Sequence, residues 1–397
     1  MHFQSNICVI GNGAVGKAAA LGFAQAGLSV TLLAPHAAPT EPAQAASWDV
    51  RVYALNQVAH DLLSSLKVWQ ALDASRVAAV DSMVVKGDGE QAGNLAFDAF
   101  GARAGALAWI VEDRNINQAL DAALKFAPNT RIVSGRATRL AAGAEGATVH
   151  LDNGDVIGAS LVVGADGAQS WVRGQCDIGI DYRSYGQRAI VTNFECSRPH
   201  HGAAYQWFTS TEGIVALLPL PGQRTSLVWS APEVLAQTLL REPLSQLAER
   251  VTQLSGHQLG QLHPLQPELV RAFPLSLLRP HAIVAPRVAL IGDAAHVVHP
   301  LAGHGMNLGF ADVAALVKLV AEREPHRDCG DERVLARYSR TRKEDIFLMQ
   351  AATDGLERLF AADFEPLRIA RNLGLNLVNK LPVLKRALIS HAMGKKP

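Results

Sequence analysis

The chain has 397 residues, 49% of them hydrophobic and 18% charged, which is enough for two domains with large cores and ordinary for a folded protein. Its net charge of +1 gives no basic field to recruit nucleic acid. The four cysteines, Cys8, Cys176, Cys196 and Cys329, form no CxxC pair, which argues against a metal centre or disulfide framework and fits a reducing, cytoplasmic compartment.

No basic segment followed by an apolar run opens the chain, so no signal peptide is expected. No apolar run nears the ~20 residues of a membrane-spanning helix, so any membrane contact would be peripheral. Residues 7–10 (ICVI) suit a short buried parallel strand. The glycine-spaced GNGAVG follows directly. Residues 14–26 are rich in Ala and Leu, Gly27 suits a helix stop, and residues 28–33 read as a second strand. Strand, glycine loop, helix and strand make a complete βαβ start. Residues 34–47 read as an Ala/Pro-rich loop, 58–69 as a helix and 78–104 as short strands broken by Gly and Asp. Residues 111–126 are expected to be a helix opened by Glu112 and Asp113. Residues 131–157 read as paired strands with Asn153-Gly154 as the hairpin turn, and 161–163 as another buried strand. β-type sequence runs through 176–229. Residues 232–254 look helical, 288–291 form an apolar strand, and the chain from 311 onward is mainly helical. No internal repeat is present.

Three segments carry chemistry. In the first, Gly11 allows a tight turn, Gly13 lets a phosphate approach the backbone, and Gly16 lets helix and strand pack closely. The helix that opens at Ala14 and Val15 then offers free N–H groups and a positive dipole end to a pyrophosphate. A glycine-rich turn in another α/β protein could mimic this spacing; its place after an N-terminal strand favours a dinucleotide. The second strand lacks the acid that would bind the adenosine ribose: it ends Leu32-Leu33-Ala34, and Glu41 stands in the following loop. In the second segment, Gly292-Asp293 ends a strand and sets a carboxylate where sugar-alcohol hydroxyls can donate to it. Pro300 stops a turn, and Gly303 and Gly305 permit close backbone approach before a helix whose N-terminus can stabilise negative charge. The third segment, Gly164-Ala165-Asp166-Gly167 through Arg173, is by itself equally an Asp-Gly turn with a surface arginine.

Together these strings resemble the FAD-dependent aromatic hydroxylases of the para-hydroxybenzoate hydroxylase fold, and within them the ubiquinone-biosynthesis hydroxylases. GNGAVG matches the nucleotide loop, GADGAQSWVR the middle motif and GDAAHVVHPLAGHGMNLG the flavin motif. DVRVYAL (49–55), IVEDR (110–114), ALLPL (216–220) and SLVW (226–229) match the subgroup. Ala34, Gln169 and His304 depart from the family pattern, His304 standing where Gln is common.

The resemblance implies an α/β fold: a Rossmann-like FAD-binding domain (residues 1–70, 105–175 and 280–345), an inserted β-sheet substrate domain (71–104 and 176–279), and a helical C-terminus (346–397). It implies that NAD(P)H, bound transiently, reduces FAD, that O2 adds to give a flavin hydroperoxide, and that one oxygen passes to a phenol ring. By motif match, Gly11, Gly13, Ala14, Val15, Gly16, Arg51, Arg114, Asp166, Gly167, Gly292, Asp293, Pro300, Gly303, His304, Gly305, Met306 and Asn307 are the expected cofactor residues. Arg51, His299 and Pro300 are the candidates for catalysis, with no metal and no evident base for the phenol.

Each side chain also has a bland alternative. Arg51 could make a surface ion pair. His296 and His299 could tune protonation beside the flavin or be structural. Gln206, Trp207 and Phe208 could line the substrate pocket or be core. The amphipathic segment 371–396 could meet an anionic membrane or a partner helix, or pack on its own domain. The expected partners are a phenolic substrate, which the resemblance extends to a polyprenylated one, and other ubiquinone-biosynthesis proteins. The rival readings are a hydroxylase of a small soluble aromatic and a non-catalytic FAD-binding assembly subunit.

Overall fold

The computed structural model describes residues 1–35, 47–87, 92–266 and 268–361; the loop acid Glu41 and the segment 371–396 lie outside them. The chain opens with β1 (His2–Ile10), α1 (Ala14–Gln25) and β2 (Val30–Ala34), then β3 (Val52–Leu55) and α2 (Gln57–Ser65). Short strands β4 (Val77–Val80), β5 (Ser82–Lys86) and β6 (Asn94–Asp98) lead to β7 (Ala108–Glu112) and α3 (Asp113–Lys125). Four strands follow, β8 (Thr130–Ser134), β9 (Ala137–Ala142), β10 (Ala147–Leu151) and β11 (Val156–Gly164), and then the short α4 (Trp171–Gln175). The long β12 (Ile180–Cys196) is followed by a meander of β13 (Ala203–Thr209), β14 (Gly213–Leu220) and β15 (Arg224–Pro232), whose last strand pairs with β12, and α5 (Glu233–Leu239) and α6 (Leu244–Leu254) cross behind it. The chain returns through β16 (Leu262–Pro264), β17 (Arg271–Pro280), β18 (Val284–Ala285) and β19 (Val288–Leu290) to α7 (His304–Ala321) and α8 (Glu332–Ala361).

The first sheet runs β18-β19-β11-β1-β2-β8, with β10 and β9 extending from β11. β1 is parallel to both β2 and β11, and β11 is parallel to β19. The register aligns the strand ends: Ile10 faces Leu33 on one side and Gly164 on the other, and Gly164 faces Leu290. Three loops therefore leave the same edge of three adjacent strands, the carboxyl edge where open α/β sheets bind ligands. The strands read as apolar runs because helices cover the sheet: Ile7, Val9, Leu161, Val163, Val288 and Leu290 are all buried.

The second sheet runs β16-β12-β15-β14-β13-β5-β6, with β17 also on β12. Its faces differ because side chains alternate along a strand. On β15, Leu227, Trp229 and Ala231 are 0% exposed and join the cluster under α5 and α6, whereas Val228 and Ser230 point to the other face. A small sheet, β3-β7-β4, stands between the two.

Several expectations need correction. Val111 and Glu112 are strand, because residues 108–112 are claimed by pairing with both β3 and β4; the helix starts at Asp113. Residues 130–134 join β2 in parallel instead of pairing with their sequence neighbours. Residues 156–164 are one strand, hydrogen-bonded to β10 early and to β19 late. The expected helix over 232–254 is two helices, broken by Pro243, which caps the second. Residues 77–80 pair with β7 in the small sheet, not with the second sheet. α7 begins at His304, so Gly305 lies inside its first turn.

Trp229 is fully buried, and its indole N–H donates to the Glu212 carbonyl at 2.7 Å. Trp229→Ala should cost about 3–5 kcal/mol, read as a lower denaturant midpoint. Because Trp229 points away from the other face of the sheet, FAD affinity of the folded fraction should stay near that of the unmodified chain.

Candidate active site

The carboxyl edge of the first sheet and the inner face of the second enclose one cavity of about 930 Å³. From the first sheet come Gly13, Ala14, Val15, Gly16, Gly167, Gly292, Asp293, Pro300, Gly303, His304, Gly305, Met306 and Asn307, together with Arg51. The second sheet adds mainly apolar wall, including Ala204, Ala216, Leu218 and Val228, with Gln206 and Ser230 among its polar points.

The glycine loop is shaped by close approach. Gly11 has φ +116°, and a Cβ there would stand 2.3 Å from the Ala165 carbonyl oxygen, so the turn closes onto the loop after β11 only with glycine. At Gly13 nothing lies within 4 Å of a Cβ position, leaving room for a ligand group against the backbone. α1 and α7 both reach the cavity with N-caps that make no side-chain hydrogen bond and no acid in the first turn. Two helix N-termini without a side-chain cap thus face one cavity.

Asp293 opens to the cavity while protein surrounds it on its other sides, and its carboxylate makes no hydrogen bond among the described residues. Burial raises its pKa, and His296 and Arg51 oppose that rise. Arg51 is exposed and lies over the rings of Tyr53 (5.9 Å) and Phe273 (5.3 Å), within reach of cation–π attraction. Its segment is fixed from three sides. The Arg51 N–H donates to Asp49, the Asp49 N–H donates to the buried Glu112, and Asn193 of β12 donates to the Asp49 carbonyl at 2.9 Å. Burial also raises the Asp113 carboxyl and, with Asp113 beside it, the Tyr53 hydroxyl.

Asn307 fastens the flavin motif to β3. Its amide donates to the carbonyls of Ala54 (2.8 Å) and Gly303 (3.1 Å) and accepts from the Asn56 N–H (2.9 Å). Arg173 is not a surface arginine. It is 6% exposed and bridges the Ala168 and Ala294 carbonyls, tying the middle motif to the flavin motif.

Four expected residues do not line the cavity. Gly11 shapes it from behind. Asp166 is spent on α4, accepting from Ser170 Oγ (2.5 Å) and the Val172 N–H (3.0 Å). Arg114 turns to Ser47, with its own N–H on Asp49. His299 is 0% exposed, meets Gln187 at 3.2 Å and the edge of Tyr185, and burial pulls its pKa down to about 4. Its ring packs against Gln187 and Tyr185 and does not reach the cavity lining. Of the β13 trio, Gln206 lines the cavity while Trp207 and Phe208 belong to hydrophobic clusters. Ala34 is buried at the end of β2, outside the lining. Asp312 and Arg342 were missed: the first is a lone acid in the apolar run LGFADVAALV, a readable signal, and the second is hidden among the charges of α8.

The open space at Gly13, the two uncapped helix ends and the unpaired Asp293 fit a dinucleotide with a sugar-alcohol linker, the chemistry of FAD. Comparison with known proteins agrees. Residues 4–349 match the FAD binding domain family model, and the chain belongs to that family. It is 36% identical over 392 residues to the ubiquinone hydroxylase UbiL of Rhodospirillum rubrum, covering 98% of this chain and 90% of that one. It is 35% identical to the 3-demethoxyubiquinol 3-hydroxylase of Escherichia coli, covering 98% of each. Among solved structures, p-nitrophenol 4-monooxygenase PnpA of Pseudomonas putida shares the fold with a TM-score of 0.78 at 18% identity, covering all of both chains. Klebsiella pneumoniae HpxO, solved with FAD and uric acid, has a TM-score of 0.74 at 17% identity, covering 99% of this chain and 97% of that one. The protein is a flavoprotein monooxygenase.

Asn307→Ala removes the bonds to the Ala54 and Gly303 carbonyls and the bond from the Asn56 N–H. It should destabilise the fold by about 1–3 kcal/mol and weaken FAD binding, checked by denaturant melts with and without FAD. An unchanged midpoint and affinity would show that Asn307 does not fasten the motif.

Proposed function

We propose that this chain hydroxylates the phenol ring of a polyprenylated intermediate in ubiquinone biosynthesis, using FAD, NAD(P)H and O2. The observation that carries the reading is the shared cavity: the flavin motif and an apolar sheet face enclose one space, so a ring held on that face lies beside the cofactor residues. Bound FAD supplies the oxygen-activating chemistry, which side chains lack.

The chain supplies position, field and dryness. The N-terminus of α1, with Gly13, Ala14, Val15 and Gly16, would hold the pyrophosphate, and Asp293 would accept from the sugar-alcohol hydroxyls. Pro300, Gly303, His304, Gly305, Met306 and Asn307 would line the ring, with the α7 N-terminus favouring negative charge there. Ala204, Ala216, Leu218 and Val228 exclude water from the substrate side, and Gln206 and Ser230 can orient a phenol hydroxyl. Ile180, Tyr182 and Phe273 line the cavity and are also exposed, so they form an apolar mouth through which a prenyl tail could leave. No described helix is long and apolar enough to cross a membrane. A substrate with such a tail partitions into a bilayer, so the reading includes peripheral contact with the inner membrane and with other proteins of the pathway.

Deletion of the gene in its host, followed by mass spectrometry of quinone precursors, tests the reading. Ubiquinone should fall and a polyprenylated precursor one ring oxygen short should accumulate, with reversal on complementation. Unchanged ubiquinone would overturn it, and accumulation of an aromatic without a tail would favour a small soluble substrate.

A further inference from the structure

Behind Gly292 lies a charged cluster that contacts neither the cavity nor solvent. Asp312 of α7 is 0% exposed, yet its carboxylate accepts three bonds: from the Gly292 N–H (2.9 Å), from His296 Nε2 (2.6 Å) and from Arg342 Nε of α8 (2.7 Å). Arg342, 4% exposed, also reaches Asp345 at 2.8 Å and the Leu308 carbonyl. His296 is 1% exposed, and its Nδ1 has no hydrogen-bond partner among the described residues. Stability alone does not call for such a cluster, since apolar residues of similar volume often serve as well.

What the cluster holds is specific. Gly292 is in the left-handed region at φ +61°, its N–H is tied to Asp312, and the next residue is the cavity-facing Asp293. We propose that Asp312 and His296 are positioning residues for the cofactor: with Arg342 behind them, they fix the Gly292–Asp293 turn and hold the Asp293 carboxylate toward the sugar-alcohol hydroxyls of FAD.

The electrostatics agree with the geometry. Burial would raise Asp312, but His296 and Arg342 hold it below the ordinary carboxylate range. At Asp293 burial raises the carboxyl, and of the charges opposing that rise His296 acts before Arg51. His296 bonds Asp312 from α7, and on α8 Arg342 bonds Asp312 and Asp345, with Tyr338 near both Asp312 and Arg342. Arg173 from α4 sits on the Ala294 carbonyl, and Arg51 lies at the front.

The test uses the purified full chain and FAD alone. FAD affinity is measured by flavin fluorescence at neutral pH for the unmodified chain, His296→Gln, His296→Ala and Asp312→Asn, with a thermal melt of each protein. Gln at 296 keeps an N–H for Asp312, so affinity stays within a few-fold, whereas His296→Ala removes that donor and should lose roughly tenfold. Asp312→Asn should also lose roughly tenfold. If that variant does not fold, the two His296 variants decide alone. His296→Ala binding FAD as tightly as the unmodified chain, or His296→Gln losing as much as His296→Ala, overturns the proposal. The readout is FAD binding without substrate, so it is separable from the outcome for the phenol.

Discussion

The structure depends on the register of three parallel strands. Ile10, Gly164 and Leu290 end β1, β11 and β19 side by side, although some 280 residues of sequence separate the first from the last. Loops that leave one sheet edge together face the same volume, and here they carry the glycine turn, the middle motif and the flavin motif. A slip of one residue would turn each strand's buried set outward. The register is thus held by burial of the same residues that make the strands legible as apolar runs.

From that edge the site is assembled with little side-chain chemistry of its own. Two helix N-termini supply positive ends, Asp293 supplies an open carboxylate, and the remaining polar groups mostly fasten backbone to backbone. Asn307 ties α7 to β3, Arg173 ties the loop after β11 to the one after β19, Asn193 ties the second sheet to residue 49, and Asp312 ties α7 to Gly292. This division suits an enzyme whose reactive atoms belong to its cofactor, where the protein contributes position, electrostatics and exclusion of water. His299 lies buried outside the cavity lining, and Gln206 and Ser230, which line it, carry polar groups that do not titrate at neutral pH.

The βαβ start, the flavin motif and the inserted sheet could be read from the sequence because each pairs a strong periodicity with glycine at a turn. Position within a motif did not reveal where a side chain points. Asp166 and Arg114 sit in matching strings, yet one bonds Ser170 and Val172 at the start of α4 and the other bonds to Ser47. Long-range pairing was equally invisible: residues 108–112 look like the start of a helix until β3 and β4 bond to both sides. The Asp312 cluster left one trace, an acid inside an apolar helix, which pattern reading passes over unless a buried charge is required to have a partner.

The central claim is that one FAD is held jointly by residues 11–16 and 292–307. Hydrogen–deuterium exchange of the purified protein with and without FAD tests it most directly. Joint holding predicts that peptides covering both segments gain protection together and with the same FAD dependence. Protection of the glycine loop alone, with residues 292–307 exchanging as before, would contradict it.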